Sequence, residues 1–146
     1  MNEGWLSIGT VIRAKISANN RYWVEKHRYY ELKHFCFQYP EWKKRYRAID
    51  GLGARACYGS ELVTGGTMVD PTSTYAEARL YYRERMELVE AVAMEAAGDL
   101  ASYLLRGVTE QITFEKLNAR ERIPCSRDAW YVMYRRFFWL LDRVRK

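Results

Sequence analysis

The residues with the clearest potential for chemistry lie near the C-terminus, in the stretch IPCSRDAWYVMYRRFFWLLDRVRK. Arg127, Tyr131 and Arg135 are spaced four residues apart, so they would share one face of a helix. Arginine can bond guanine bidentately, tyrosine can contact a thymine methyl group, and a helix N-terminus opened by a serine can hold a phosphate. Further arginines nearby would contact the DNA backbone. The candidate DNA-binding residues are Arg120, Arg122, Ser126, Arg127, Tyr131, Arg135, Arg136 and Arg143.

Two predicted helices position these residues. Thr113 is an N-cap for a short helix over 113–119, and Pro124 prevents that helix from continuing. Ser126 caps a final helix over 126–144, whose apolar stripe leaves Arg127, Tyr131 and Arg135 on the solvent side. The stripe consists of Trp130, Met133, Phe137, Leu140, Leu141 and Val144.

A short helix, a turn and a longer helix are typical of a helix-turn-helix unit, whose second helix lies in the DNA major groove. Such a unit would span residues 113–146. Its turn is longer than the usual length of about three or four residues.

The rest of the chain is also predicted to be helical. Helices are expected over 28–39, 41–50, 73–97 and 99–110, with Pro40 separating the first two. The glycine-rich stretch GLGARACYGSELVTGGTMVD predicts a long loop over 51–69. The fold class is therefore all-α, a compact helical domain over 28–146 after an N-terminal arm, residues 1–27.

Charge is distributed unevenly along the 146 residues, whose formal net charge is +6. Residues 1–50 carry ten Lys/Arg against five Asp/Glu, residues 51–112 carry five against nine, and residues 113–146 carry nine against four. The two ends are therefore basic and the middle acidic. This asymmetry favours an anionic partner, most often a nucleic acid.

Several classes of protein are not indicated. The three cysteines are widely spaced and form no CxxC pair, so neither a disulfide framework nor a structural zinc site is expected. His27 and His34 lack further ligands at a suitable spacing, and no metal or other cofactor is predicted. No catalytic motif accompanies the glutamates of the central helix, so we expect no enzyme activity.

The sequence also predicts where the protein works. The first residues lack the basic start and cleavage pattern of a signal peptide, and no apolar run is long enough for a membrane span. We therefore expect a reduced protein in the cytoplasm, with no membrane partner.

Three stretches resemble a known group of proteins. They are YYELKHFCFQYPEWKKRYRAIDGL, DPTSTYAEARLYYRERMELVEAV and IPCSRDAWYVMYRRFFWLLDRVRK. Together they resemble small prophage-encoded proteins of Gram-positive bacteria and, more distantly, late-gene transcription regulators of the RinA and ArpU type. The resemblance covers nearly all of residues 28–146. It implies a phage origin and sigma-like C-terminal helices.

Two functions remain open on the sequence. One is a phage-encoded, sequence-specific regulator of transcription that binds double-stranded DNA and contacts host RNA polymerase. The alternative is a phage protein that inhibits a host enzyme or a nucleic-acid-guided defence complex by binding it. The apolar run from Phe137 to Leu141 also predicts a homodimer, because a helix that is apolar nearly all round needs cover on more than one side.

Overall fold

A computed structural model describes residues 20–56 and 71–145, and all of its regular structure is helical. No strand occurs in these two ranges, which confirms the all-α prediction. The elements in chain order are α1 (Lys26–Phe37), α2 (Tyr39–Ala56), α3 (Pro71–Ala97), a 3-10 turn (Gly98–Leu100), α4 (Ala101–Thr109), α5 (Phe114–Glu121) and α6 (Arg127–Val144). None of the helices described is long and apolar enough to cross a membrane.

The described residues group into two compact units. Residues 20–38 and 89–145 form the first unit, and those described within 39–88 form the second, so the boundary falls inside α3. Residues 1–19 of the predicted arm lie outside the described residues. Of the loop predicted over 51–69, residues 57–69 also lie outside the described residues. Residues 51–56 are helical instead, because α2 continues to Ala56.

The first unit is built around α6, which packs against both α1 and α4. Its core is formed by Leu32 and Cys36 of α1, Leu104 and Val108 of α4, and Phe137, Phe138 and Leu141 of α6, all nearly inaccessible to solvent. Two neighbouring helices of the same chain therefore cover Phe137, Phe138 and Leu141 of the apolar run that led us to predict a second copy, and Trp139 and Leu140 are half-buried. The homodimer stays a prediction without that argument.

An ionic contact joins the two ends of the first unit. The Arg28 guanidinium donates from Nε to Asp142 Oδ1 at 2.7 Å, and from Nη2 to the backbone carbonyl of Arg145. Glu31 lies on the other side of Arg28, at 2.8 Å from Nη1. The start of α1 is thereby attached to the last turn of α6.

The second unit pairs α2 with the first part of α3. Arg79 of α3 contacts Asp50 of α2 at 2.6 Å, and its guanidinium lies 5.0 Å from the ring centroid of Tyr46. Trp42 is buried on α2, and it lies on the same face as Tyr46, four residues later. Pro40 is the second residue of α2, close to the first-turn position where a missing N–H costs no helical hydrogen bond.

Candidate nucleic-acid interface

Helix α5 begins and ends through local hydrogen bonds that its sequence supplies. Thr113 is the N-cap, and its hydroxyl accepts from the backbone N–H of Lys116 at 3.2 Å. At the other end Arg122 adopts a left-handed conformation with φ of 52° and donates its N–H to the carbonyl of Asn118 at 2.8 Å. The predicted N-cap at Thr113 is confirmed.

The turn between α5 and α6, residues 122–126, is fixed by one side chain. Asn118 Oδ1 accepts from the backbone N–H of Ile123 at 2.8 Å. Ile123 is buried, and its carbonyl accepts from the N–H of Cys125. Because its polar groups are bonded locally and its apolar residue is buried, the turn holds α6 at a defined angle to α5 even though it is longer than usual.

Helix α6 begins at a second side-chain cap. The Ser126 hydroxyl accepts from the N–H of Ala129 at 3.1 Å, and Asp128 lies in the first turn, where a carboxylate favours the helix dipole. The predicted cap at Ser126 is confirmed. Since a hydroxyl has one donor hydrogen besides its acceptor lone pairs, Ser126 can still donate to an oxygen outside the helix.

Trp130 is the point at which three helices meet. It is 1% exposed, and its ring centroid lies 5.5 Å from that of Phe114 at the start of α5. On its other side is Gly107 of α4, where an added Cβ would lie 2.6 Å from Trp130 Cζ2. The first turns of α5 and α6 are therefore held together on α4.

The three residues predicted to face solvent have different environments. Arg127 is exposed, but its Nε lies 2.7 Å from Glu115 Oε2 and its guanidinium lies over the ring of Tyr131. Tyr131 is half-buried, with its ring near those of Phe114 and Tyr134. Arg135 is also half-buried, and its Nε is shielded from solvent without a hydrogen-bond partner.

The prediction that these side chains lie on the solvent side of α6 is therefore wrong for Tyr131 and Arg135. The reason is Phe138, which we did not include in the apolar stripe and which is 1% exposed. Tyr131 precedes Phe138 by seven residues, so the two share one side of the helix. With Phe138 buried, the core face of α6 extends towards Tyr131 and Arg135.

The side of α6 opposite this core face carries three residues that the sequence analysis did not select, together with the candidates Arg136 and Arg143. Asp128, Ala129 and Val132 are exposed there, and Val132 keeps 45% of its surface accessible. Arg136, one turn further on, is half-buried, and Arg143 near the end is exposed. Including Phe138 in the core stripe would have identified this face from the sequence.

Most cations of α5, the turn and α6 have no carboxylate partner within residues 20–56 and 71–145. In the part of the chain that the structure describes, ion pairs within this segment and to α4 involve Arg127 with Glu115 and Arg106 with Glu121. We call the remaining cations the free basic set: Lys116, Arg120, Arg122, Arg135, Arg136 and Arg143. In this set Arg143 lies 4.7 Å from the ring centroid of Trp139, which keeps its charge available to a further anion.

The described residues contain no group of three or more His, Cys, Asp and Glu that could hold a metal ion. Burial raises the pKa of the Cys36 thiol well above its ordinary range, and burial also raises the pKa of Cys125. Neither thiol is therefore activated as a nucleophile at neutral pH.

Comparisons with protein-family models, with curated proteins and with solved structures gave no match to this chain. The resemblance to prophage proteins and to regulators of the RinA and ArpU type therefore stays a prediction.

Proposed function

We propose that the protein is a sequence-specific regulator of transcription that binds double-stranded DNA through α5, the turn and α6. In this proposal α6 enters the major groove with its outward face, and α5 crosses the adjacent phosphate backbone. The resemblance favours a phage origin and a sigma-like contact with host RNA polymerase.

The observation that carries the proposal is the free basic set. A solvated protein surface usually intersperses charges of both signs, and this chain has exposed ion pairs such as Arg45 with Glu41 and Arg83 with Glu87. The six cations of the free basic set, on α5, in the turn and on α6, have no such partner among the residues that the structure describes. Neutralising phosphates with these cations would release counterions from DNA, which is the main source of affinity for nucleic acid.

The positions of the cations suit some of them to contacts with the phosphate backbone and others to contacts with bases. Arg120 and Arg122 are exposed on both sides of the end of α5, where the backbone of a groove-bound duplex would pass. Arg136 lies on the outward side of α6 and is placed to reach base edges. Ser126 and the first backbone N–H groups of α6 would hold a phosphate at the helix N-terminus.

The rigidity of α5, the turn and α6 also supports recognition of a DNA sequence. The cap at Ser126, the Asn118 bond to the turn and the buried Trp130 fix the start of α6 without help from a ligand. A surface whose backbone is set before binding does not lose conformational entropy when it binds.

The test is fluorescence anisotropy with a labelled random-sequence duplex at low salt. We expect wild-type protein to bind and the double variant Arg120→Gln/Arg122→Gln to bind at least about tenfold more weakly, as expected for two lost phosphate contacts. Arg83→Gln is the matched control, because Arg83 is exposed on α3 and already paired with Glu87. Equal weakening by the control and by the double variant would contradict the proposal.

A second candidate function is inhibition of a host protein, which one feature of the second unit favours. Leu80 and Tyr81 are adjacent on α3 and 44% and 48% exposed. Neighbouring exposed apolar side chains are suited to a protein partner. Retention of a host enzyme or defence complex from a nuclease-treated lysate, and its loss on Tyr81→Ala but not on Arg136→Gln, would support this function over DNA binding.

A further inference from the structure

The outward face of α6 carries one line of side chains with three different chemistries. Asp128, Val132 and Arg136 are four residues apart, so they follow each other along the helix at intervals of about 6 Å. Asp128 and Val132 are exposed and Arg136 is partly so. Along this line an acceptor, an apolar group and a cationic donor succeed each other.

Val132 is the unusual member of the line. It is a β-branched apolar residue that leaves 45% of its surface in water, among charged neighbours and on a helix whose other valine, Val144, is in the last turn. Along the line, the residues one turn before and after Val132 are the charged Asp128 and Arg136. An occupant of this face must therefore offer a small apolar group with polar atoms beside it.

The major groove of DNA offers this combination. The thymine C5 methyl group projects into the groove, guanine presents two acceptors that match an arginine, and cytosine presents an amino donor that matches a carboxylate. Because base pairs follow at about 3.4 Å, side chains about 6 Å apart would meet edges roughly two base pairs apart.

We infer that Val132 contacts a thymine methyl group, between a guanine bound by Arg136 and a cytosine bound by Asp128. The inference rests on the proposed function, and it assigns the sequence preference to residues on the outward face rather than to Tyr131 and Arg135. The six cations of the free basic set, carried by α5, the turn and α6, make DNA the occupant that fits the charge of this segment.

The experiment begins with selection of bound duplexes from a library with a random core. We expect the enriched sequences to share a thymine with a guanine near it. Binding is then compared between the selected duplex and the same duplex with deoxyuridine at that one thymine, which removes only the methyl group. Wild-type protein should bind the deoxyuridine duplex about fourfold more weakly, the value of one buried methyl group.

Two variants identify the residue that makes the contact. In Val132→Ala the two duplexes should bind equally, whereas Val144→Ala, a matched change at an exposed valine of the same helix, should keep the wild-type ratio. The inference is overturned if no thymine is enriched, if wild-type protein binds both duplexes equally, or if Val132→Ala keeps the preference. In each of these cases salt-sensitive binding to the library would leave the proposed function standing, whereas loss of all duplex binding would overturn both.

Discussion

Gly107 of α4 lies directly against the indole of Trp130 in α6, so closely that a methyl group on Gly107 would be 2.6 Å from Trp130 Cζ2. Trp130 is fully enclosed and cannot move aside as a flexible surface side chain could. The absence of a side chain at residue 107 therefore determines how near α4 and α6 can approach. It also fixes where the start of α6 is presented to solvent.

We expect Gly107→Ala to destabilise the protein by about 1 to 3 kcal/mol, the usual effect of overpacking a core, despite the better helix propensity of alanine. Urea denaturation would measure the change. Ser102→Ala, at an exposed site of the same helix, should have little effect. In the background of Trp130→Phe, whose single ring is smaller and does not reach the position of Cζ2, Gly107→Ala should cost less, and an unchanged cost would contradict the contact.

Asn118 is expected to contribute more to stability than other residues near the end of a short helix, because its side chain bonds to the turn. Asn118→Ala removes the acceptor for the Ile123 N–H, which is partly buried. An unsatisfied donor of this kind costs about 1 to 3 kcal/mol. Thermal or urea unfolding should show this loss, while Lys116→Ala, at an exposed position of α5, should change stability by no more than about 0.5 kcal/mol.

The sequence predicted most of the fold because its helices begin and end at residues whose local chemistry decides the outcome. Thr113 and Ser126 cap helices as expected, Gly98 has a positive φ of 57° at the predicted break after α3, and Pro124 lies outside both helices that it separates. These effects operate within a few residues of the chain. They do not depend on knowing what packs against the helix.

The candidate site was predicted less well because orientation depends on packing partners far along the chain. Phe138 is buried through contact with Tyr29 of α1, whose ring centroid lies 5.1 Å away, and no local pattern identifies that partner. The ion pair of Arg127 with Glu115 likewise depends on the angle between α5 and α6. Periodicity therefore predicted that α6 is a helix but not which of its faces points outward.

Glu25 should make the stability of α1 depend on pH. The backbone N–H groups of His27 and Arg28 donate to its carboxylate at 3.1 Å each, and these bonds lower its pKa below the ordinary value of 4.5. Because the folded pKa is the lower one, the stabilisation is present above the ordinary value and is lost as pH falls through the folded pKa. Wild-type protein should exceed Glu25→Gln in stability at about pH 7.

This advantage of Glu25 should disappear in acid. Urea denaturation of both proteins from about pH 7 down to about pH 2 would measure it, since a glutamine at residue 25 does not titrate over that range. Glu95→Gln, at an exposed position of α3, provides the comparison for a general change of charge. A constant difference between wild type and Glu25→Gln across this range would contradict the role of the cap.

The ion pair with Glu115 should make Arg127 less available to bind a phosphate or a base. The two side chains are paired at 2.7 Å and both are more than half exposed, so the pair contributes little to stability. Glu115→Gln would release a cation at the start of α6 and remove a carboxylate from the side that we propose binds DNA. We expect tighter duplex binding in anisotropy titrations at low salt, with unfolding free energy changed by less than about 1 kcal/mol.

The matched control for this variant is Glu95→Gln, which makes the same change of net charge on α3. It should strengthen binding less than Glu115→Gln does. Equal gains from the two variants would show that net charge, and not the release of Arg127, accounts for the effect.

The most direct test of the account is the salt dependence of DNA binding by wild-type protein and by Arg136→Gln. The logarithm of the binding constant should fall linearly with the logarithm of salt concentration, with a slope of about −0.9 per neutralised phosphate. If the cations of the free basic set engage the duplex, the wild-type slope is about −3 or steeper. If Arg136 reads a base rather than a phosphate, Arg136→Gln keeps nearly that slope and loses preference for the selected sequence. A wild-type slope near zero would contradict the central claim that α5 and α6 form a DNA-binding surface.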